Sequence, residues 1–188
     1  MKKTLLLIFA GLLFFAGTAF SQSTPVTGEF EAITDASDGG SSTVKMEETT
    51  RDGMKAWRFT GEVTTQFQYG FAGWELKPDA ASLTRMRALR NTSTVSFKVL
   101  GDGKRYTVKF RMPQRIITDW AHHEFHFNTR AGEVQEVTVQ IRQFQQPAWS
   151  SSPVNMQIRQ VDDISWQTHE SWRPGTFDIT VWDIKITP

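Results

Sequence analysis

Residues 95–111 hold the pattern that most limits what this chain can become. An alternating run, Val95-Ser96-Phe97-Lys98-Val99-Leu100, leads into Gly101-Asp102-Gly103-Lys104, and a second alternating run, Arg105-Tyr106-Thr107-Val108-Lys109-Phe110-Arg111, leads out. Period-2 alternation is the mark of strands with one buried face, and Asp-Gly tolerates the positive φ of a tight turn. The pattern predicts a β-hairpin turning at Asp102-Gly103. It also excludes a phosphate loop at Gly101–Lys104, because such loops run from a strand into a helix whose N-terminus holds the anion.

The same alternation recurs along the chain. Phe30–Ile33, Thr43–Glu48, Met54–Thr60, His123–Asn128, Glu133–Arg142, Val161–Gln167 and Phe177–Ile186 all read as strands between Gly- and Pro-rich turns, while Phe67–Leu76 is rich in aromatics and Gly. Residues Pro78–Met86 are the one segment with a helical turn. About nine short strands with so little helix specify an all-β antiparallel sandwich.

The first residues read as a leader. Lys2 and Lys3 precede an apolar stretch from Thr4 to Ala16, and Ala19-Phe20-Ser21 offers small residues for cleavage before Gln22. The expectation is a signal peptide over residues 1–21, one domain over 22–188, no membrane span after cleavage, and a secreted or periplasmic product. The chain has no Cys, so an exported fold must hold without disulfides. Its net charge of +1 falls to about −1 once Lys2 and Lys3 are gone, which argues against nucleic acid as a partner.

Five segments together carry a family likeness. They are Asp38–Ser41, Gly70–Gly73, Gly101–Tyr106, an amphipathic strand ending in Phe144, and the closing strand Pro174–Ile179. In this order they resemble the complex I intermediate-associated protein 30 family and the related galactose-binding-like jelly rolls, including family 11 carbohydrate-binding modules. The likeness covers nearly all of the mature chain, and Gly101–Tyr106 is its most specific part. The sequence departs from the family at Val134–Glu136, where a Trp is usual, and at Val181–Ile184. The resemblance implies a galactose-binding-like jelly-roll sandwich with a binding face and no catalytic apparatus. The mitochondrial assembly role of eukaryotic members does not suit an exported chain.

Three groups of residues are candidates for chemistry. The loop Asp35–Ser42 has carboxylates and paired glycines, as calcium coordination requires, and the resemblance adds Asp183 on the final strand. Asp35, Asp38 and Asp183 are thus the expected ligands of a structural calcium, against the plain alternative of an acidic turn bonded to its own backbone. On a strand, His122, Glu124 and His126 share one face, and Arg105, Thr107, Lys109 and Arg111 share another; zinc is an alternative reading of the first set, against a polar sheet face of neutral imidazoles. If the two strands are neighbours, these residues make one polar surface suited to sugar hydroxyls. The seven Trp are unusual beside two Tyr. Trp74, Trp120 and Trp149 fall in expected loops, where aromatic rings stack on ligands, whereas Trp57 and Trp166 are expected in the core and Trp182 outside it. No nucleophile elbow and no acid/base pair of carboxylates occurs, so the chain is not expected to be an enzyme. The predicted sugar site is Arg111, Trp120, His122 and Glu124, with Trp74 and Trp149. The alternative is an envelope structural or assembly protein that grips another protein through the sandwich face.

Overall fold

The expected strands form, and they divide between two antiparallel sheets. The computed structural model describes residues 22–172 and 174–188, so the leader read over residues 1–21 lies outside the described residues. The first sheet runs β3 (Thr43–Arg51), β4 (Met54–Val63), β11 (Gly175–Thr187), β6 (Thr94–Leu100), β9 (Val134–Gln140), with the short β1 (Thr24–Pro25) also paired to β11. The second runs β2 (Gly28–Thr34), β5 (Ala72–Pro78), β10 (Asp163–Thr168), β7 (Arg105–Arg111), β8 (His123–Asn128). This is a jelly-roll sandwich. Among the described residues one α-helix, α1 (Ala80–Arg87), follows β5; Asp79 caps it, accepting the Ser82 N–H at 2.7 Å, and Ser82 and Met86 face inward.

Alternation fills the space between the sheets with aromatic rings. Phe59 stacks on Trp74 at 4.2 Å between centroids, and Trp74 continues to Phe177 at 6.2 Å. Phe97 meets Trp166 edge-on at 5.4 Å. Trp74 and Trp166 are wholly buried. Trp182 is buried too, yet lies outside this core cluster; its indole N–H donates to Asp52 at 3.3 Å. It thus alternates away from Val181, as expected, but under cover of its neighbours. Trp57 is only half-buried, against Phe30.

The predicted hairpin over residues 94–112 is corrected. Both strands exist, but β6 pairs with β11 and β9, while β7 pairs with β10 and β8. They face each other across the core instead of pairing edge to edge. The physical reason is that both strands bury one complete apolar row, Val95, Phe97 and Val99 on one side and Tyr106, Val108 and Phe110 on the other. Alternation states which face is buried, not which strand is the neighbour. Gly103 does supply a positive φ of 89°, but in an arch between sheets. A true two-residue hairpin forms at Asp52-Gly53, with φ of 52° and 74°, between Arg51 and Met54.

Asp102 fixes the arch. One carboxylate oxygen accepts the Lys104 N–H at 3.2 Å and the Tyr106 O–H at 3.0 Å; the other accepts the Asp178 N–H at 3.1 Å. A single side chain thereby ties the arch to a strand of each sheet. Its removal deletes several charge-assisted hydrogen bonds, so Asp102→Ala should cost about 1–3 kcal/mol and lower the melting temperature by several degrees. Thermal unfolding followed by circular dichroism checks this; a wild-type melting temperature would show the arch to be held by something else.

Candidate functional site

The core-facing row of the second sheet dictates what its outer face carries. With Trp74, Trp166, Val108 and Phe110 inward, their chain neighbours must point out. Strand register then lines up Glu124, Lys109, Ser165, Glu75 and Glu31 as one row across all five strands. A second row holds His126, Thr107 and Gln167, and Arg111 lies opposite Asp163. β7 and β8 are neighbours, so the condition for one shared polar surface is met. Glu75, Asp163 and Gln167 join it from strands whose place in the sheet alternation alone does not give.

These groups are paired with one another. Arg111 donates to Glu75, whose other oxygen lies 3.0 Å from Lys77; Lys77 also reaches Glu31 at 3.2 Å. Lys109 donates to Gln167 at 2.7 Å and sits 3.5 Å from Glu124. Glu124 is 3.4 Å from His126 Nε2, and His126 Nδ1 is 2.9 Å from the Thr107 hydroxyl. Arg111 Nε is 3.7 Å from Asp163, too far for a hydrogen bond.

Burial governs the protonation of this floor. It pushes the Asp163 carboxyl up to about 7, with Arg111 opposing and Glu75 assisting. It holds His122 down at about 4, helped by the positive charges of Arg111 and Lys109. Both ring nitrogens of His122 are buried and make no hydrogen bond. Burial also lowers Lys109, against the pull of Glu124, and lowers His126.

Loops wall the floor on one side. Glu124 and Gln145 exchange backbone hydrogen bonds at 2.8 and 3.1 Å, so the edge of β8 is covered by the segment after β9. Between them an open cleft of about 480 Å³ is lined by Arg105, Glu124, His126, Gln143, Gln145 and Gln146. Trp149 follows this wall and is 63% exposed, and Trp120 is 58% exposed. The Trp120 ring lies 6.4 Å from that of His122, at the edge of the floor. Its backbone is left-handed, with φ of 62°, an unusual state for a bulky residue.

Asp119 joins the two Trp-bearing loops. One oxygen accepts the Ala121 N–H at 3.1 Å; the other accepts the Ser150 hydroxyl at 2.9 Å and the N–H groups of Ser151 and Ser152 at 2.8 and 3.2 Å. Burial raises this carboxyl, but the hydrogen bonds outweigh it and hold it at about 2.

The structure brings Arg111, Trp120, His122, Glu124 and Trp149 to one side of the second sheet and removes Trp74 from the set. Trp74 lies in β5, not a loop, and its ring is in the core because Gly73 and Glu75 take the outward positions. The three carboxylates expected to bind calcium are not gathered. Asp35 is buried and already accepts the Ser42 N–H at 3.0 Å, the Ser42 hydroxyl at 2.8 Å and the Phe71 N–H at 3.3 Å. Asp38 ends the short 3-10 turn of the same loop. Asp183 pairs with Lys185 at 2.7 Å, eight residues along β11 from the Gly175 end near that loop, or roughly 25 Å away. Among the described residues no three His, Asp or Glu side chains are set to hold a metal ion, so His122, Glu124 and His126 do not form a zinc site either. Sequence reading missed Asp119 and the amides of Gln143–Gln146; only the polar run before Trp149 hinted at them.

Carbohydrate-binding modules are among the solved structures of similar fold. The family 11 module of Clostridium thermocellum, in complex with a β-1,3-1,4-mixed-linked tetrasaccharide, matches with a TM-score of 0.57 at 13% identity, over 84% of this chain and 88% of that one. The family 30 module of a cellulosomal cellulase from the same organism matches with a TM-score of 0.53 at 16% identity, over 88% and 89%. No curated protein sequence matches the chain. Residues 18–181 match the sequence profile described as complex I intermediate-associated protein 30, and the chain belongs to that family.

Proposed function

We propose that this protein is an exported, non-catalytic module that binds a neutral polysaccharide on the outer face of the second sheet. The carrying observation is a floor of mutually paired polar side chains with two exposed Trp at its edge. Sugar recognition needs both parts, rings that stack on C–H faces and fixed donors and acceptors for hydroxyls. Lys77, Lys109 and Arg111 each face a carboxylate, so the surface offers hydrogen bonds without a free charge to attract an acidic glycan. The leader read at residues 1–21 agrees with a role outside the cytoplasm. The fold likeness to carbohydrate-binding modules supports the same reading.

Isothermal titration of the mature chain against barley β-glucan, xyloglucan, laminarin, galactomannan and pullulan tests it. Binding of at least one is expected, and Trp120→Ala should weaken it roughly tenfold or more, since an aromatic anchor is worth about 1–3 kcal/mol. Trp120→Ala should leave the melting temperature nearly unchanged, whereas Trp74→Ala should cost about 3–5 kcal/mol of stability. Null titrations of folded protein across the panel would overturn the sugar reading in favour of a protein partner.

The floor also predicts a pH signature. Between about pH 4 and 6.5 folded His122 refuses a proton that the unfolded chain takes, so its contribution to stability grows as pH rises. Asp163 does the opposite. From about pH 4 to 7 the folded chain keeps a proton that the unfolded chain has lost, so its contribution shrinks as pH rises. The two slopes offset each other in the wild type. Asp163→Asn removes the second, so its melting temperature should gain several degrees on the wild type between pH 4 and 7. A difference that stays constant across that range would contradict the assignment.

A further inference from the structure

We propose that Asp119 is a positioning residue that locks Trp120 and Trp149 into one two-ring clamp, and that the clamp takes neighbouring pyranose units of a single polysaccharide chain. The inference rests on the sugar reading above and adds the device that makes the site selective for chains.

The two Trp belong to loops distant in sequence, and neither ring is held by the core, since both are largely exposed. Their positions are set by the backbone around them. Asp119 reaches from the residue before Trp120 to the three serines after Trp149. The Ser150 N–H closes a turn around Trp149 by donating to the Pro147 carbonyl at 3.0 Å. On the other loop, the Ala121 N–H binds Asp119 and so closes a turn around Trp120, whose backbone is left-handed, and the His122 N–H donates to the Trp120 carbonyl at 2.8 Å. A second tie runs in parallel. The Gln146 amide donates to the Ala121 carbonyl at 2.7 Å and accepts the Val154 N–H at 2.6 Å.

Two connections between the two loops leave these segments little freedom to move apart. Rings fixed before binding spare the ordering cost that flexible loops would incur on association. A monosaccharide can use one ring only. Coupled rings at a fixed spacing reward a ligand with repeated sugar faces, and the adjoining polar floor and glutamine-lined cleft continue the same surface toward β8.

The test is a titration series with the β-1,3-1,4-mixed-linked tetrasaccharide of barley glucan, glucose, and the polysaccharide panel named above. The wild type is expected to bind oligosaccharide at least tenfold more tightly than the monosaccharide. Asp119→Ala should weaken chain binding about as much as removing both Trp together, although Asp119 touches no ligand. Asp119→Asn, whose amide oxygen can still accept one set of bonds, should fall between. The decisive readout is coupling. In the wild type Trp120→Ala and Trp149→Ala should each matter, whereas in the Asp119→Ala background either change should alter affinity less than twofold. A purely structural latch would lower the melting temperature without erasing the effect of the two Trp. If folded Asp119→Ala binds like the wild type, or if both Trp keep their full effect in that background, the clamp is wrong and the sugar reading stands. If the wild type binds no member of the panel, the clamp falls together with the sugar reading.

Discussion

The second sheet is one set of backbones with two incompatible surfaces, and the rest of the molecule depends on keeping them apart. Inward, Trp74, Trp166, Val108 and Phe110 are buried against the first sheet. Outward, the residues between them are charged or polar and paired across strands. A one-residue slip in any strand would drive Lys109, Arg111 or Glu75 into the core, so register is strongly enforced. The aromatic interior thus fixes the positions of the polar floor without touching a ligand.

That floor is preorganised in a specific sense. Each long side chain is held by its neighbours, so little rotamer freedom remains to be lost on binding. The pairing also leaves the face close to electrically neutral, and burial favours the uncharged forms of His122 and Asp163. Such a surface discriminates by hydrogen-bond geometry instead of net charge. The aromatic part of the site is delegated to loops, where exposed rings cost the fold little and where Asp119 supplies the rigidity that the strands give the floor.

Much of this was legible in the sequence. Strand positions, the sandwich class and the polar row on each of β7 and β8 follow from period-2 alternation, and its interruption at Pro78–Met86 marks the helical turn after β5. What alternation cannot carry is the partner of each strand. The Gly101–Lys104 turn has the chemistry of a hairpin, yet two full apolar rows made an arch between sheets the better burial. Trp74 was misplaced because its flanking glycine suggests a loop; Gly73 instead lets the β10 backbone pass close, since a Cβ there would come within 2.4 Å of the Trp166 carbonyl. Asp35 has the composition of a calcium ligand, but its oxygens are taken up by Ser42 and Phe71. Asp119 was invisible because its serine partners lie more than thirty residues away.

The central claim is that the outer face of the second sheet, and not that of the first, is the ligand surface. Amide and indole chemical-shift mapping of labelled mature protein during titration with the mixed-linked tetrasaccharide tests it most directly. The account predicts shifts concentrated at Lys109, Arg111, Glu124, His126 and Gln145 and at the indole N–H groups of Trp120 and Trp149. Shifts centred instead on Arg58, Asp178 and Trp182 of the first sheet, or a spectrum that saturating sugar leaves unchanged, would contradict it.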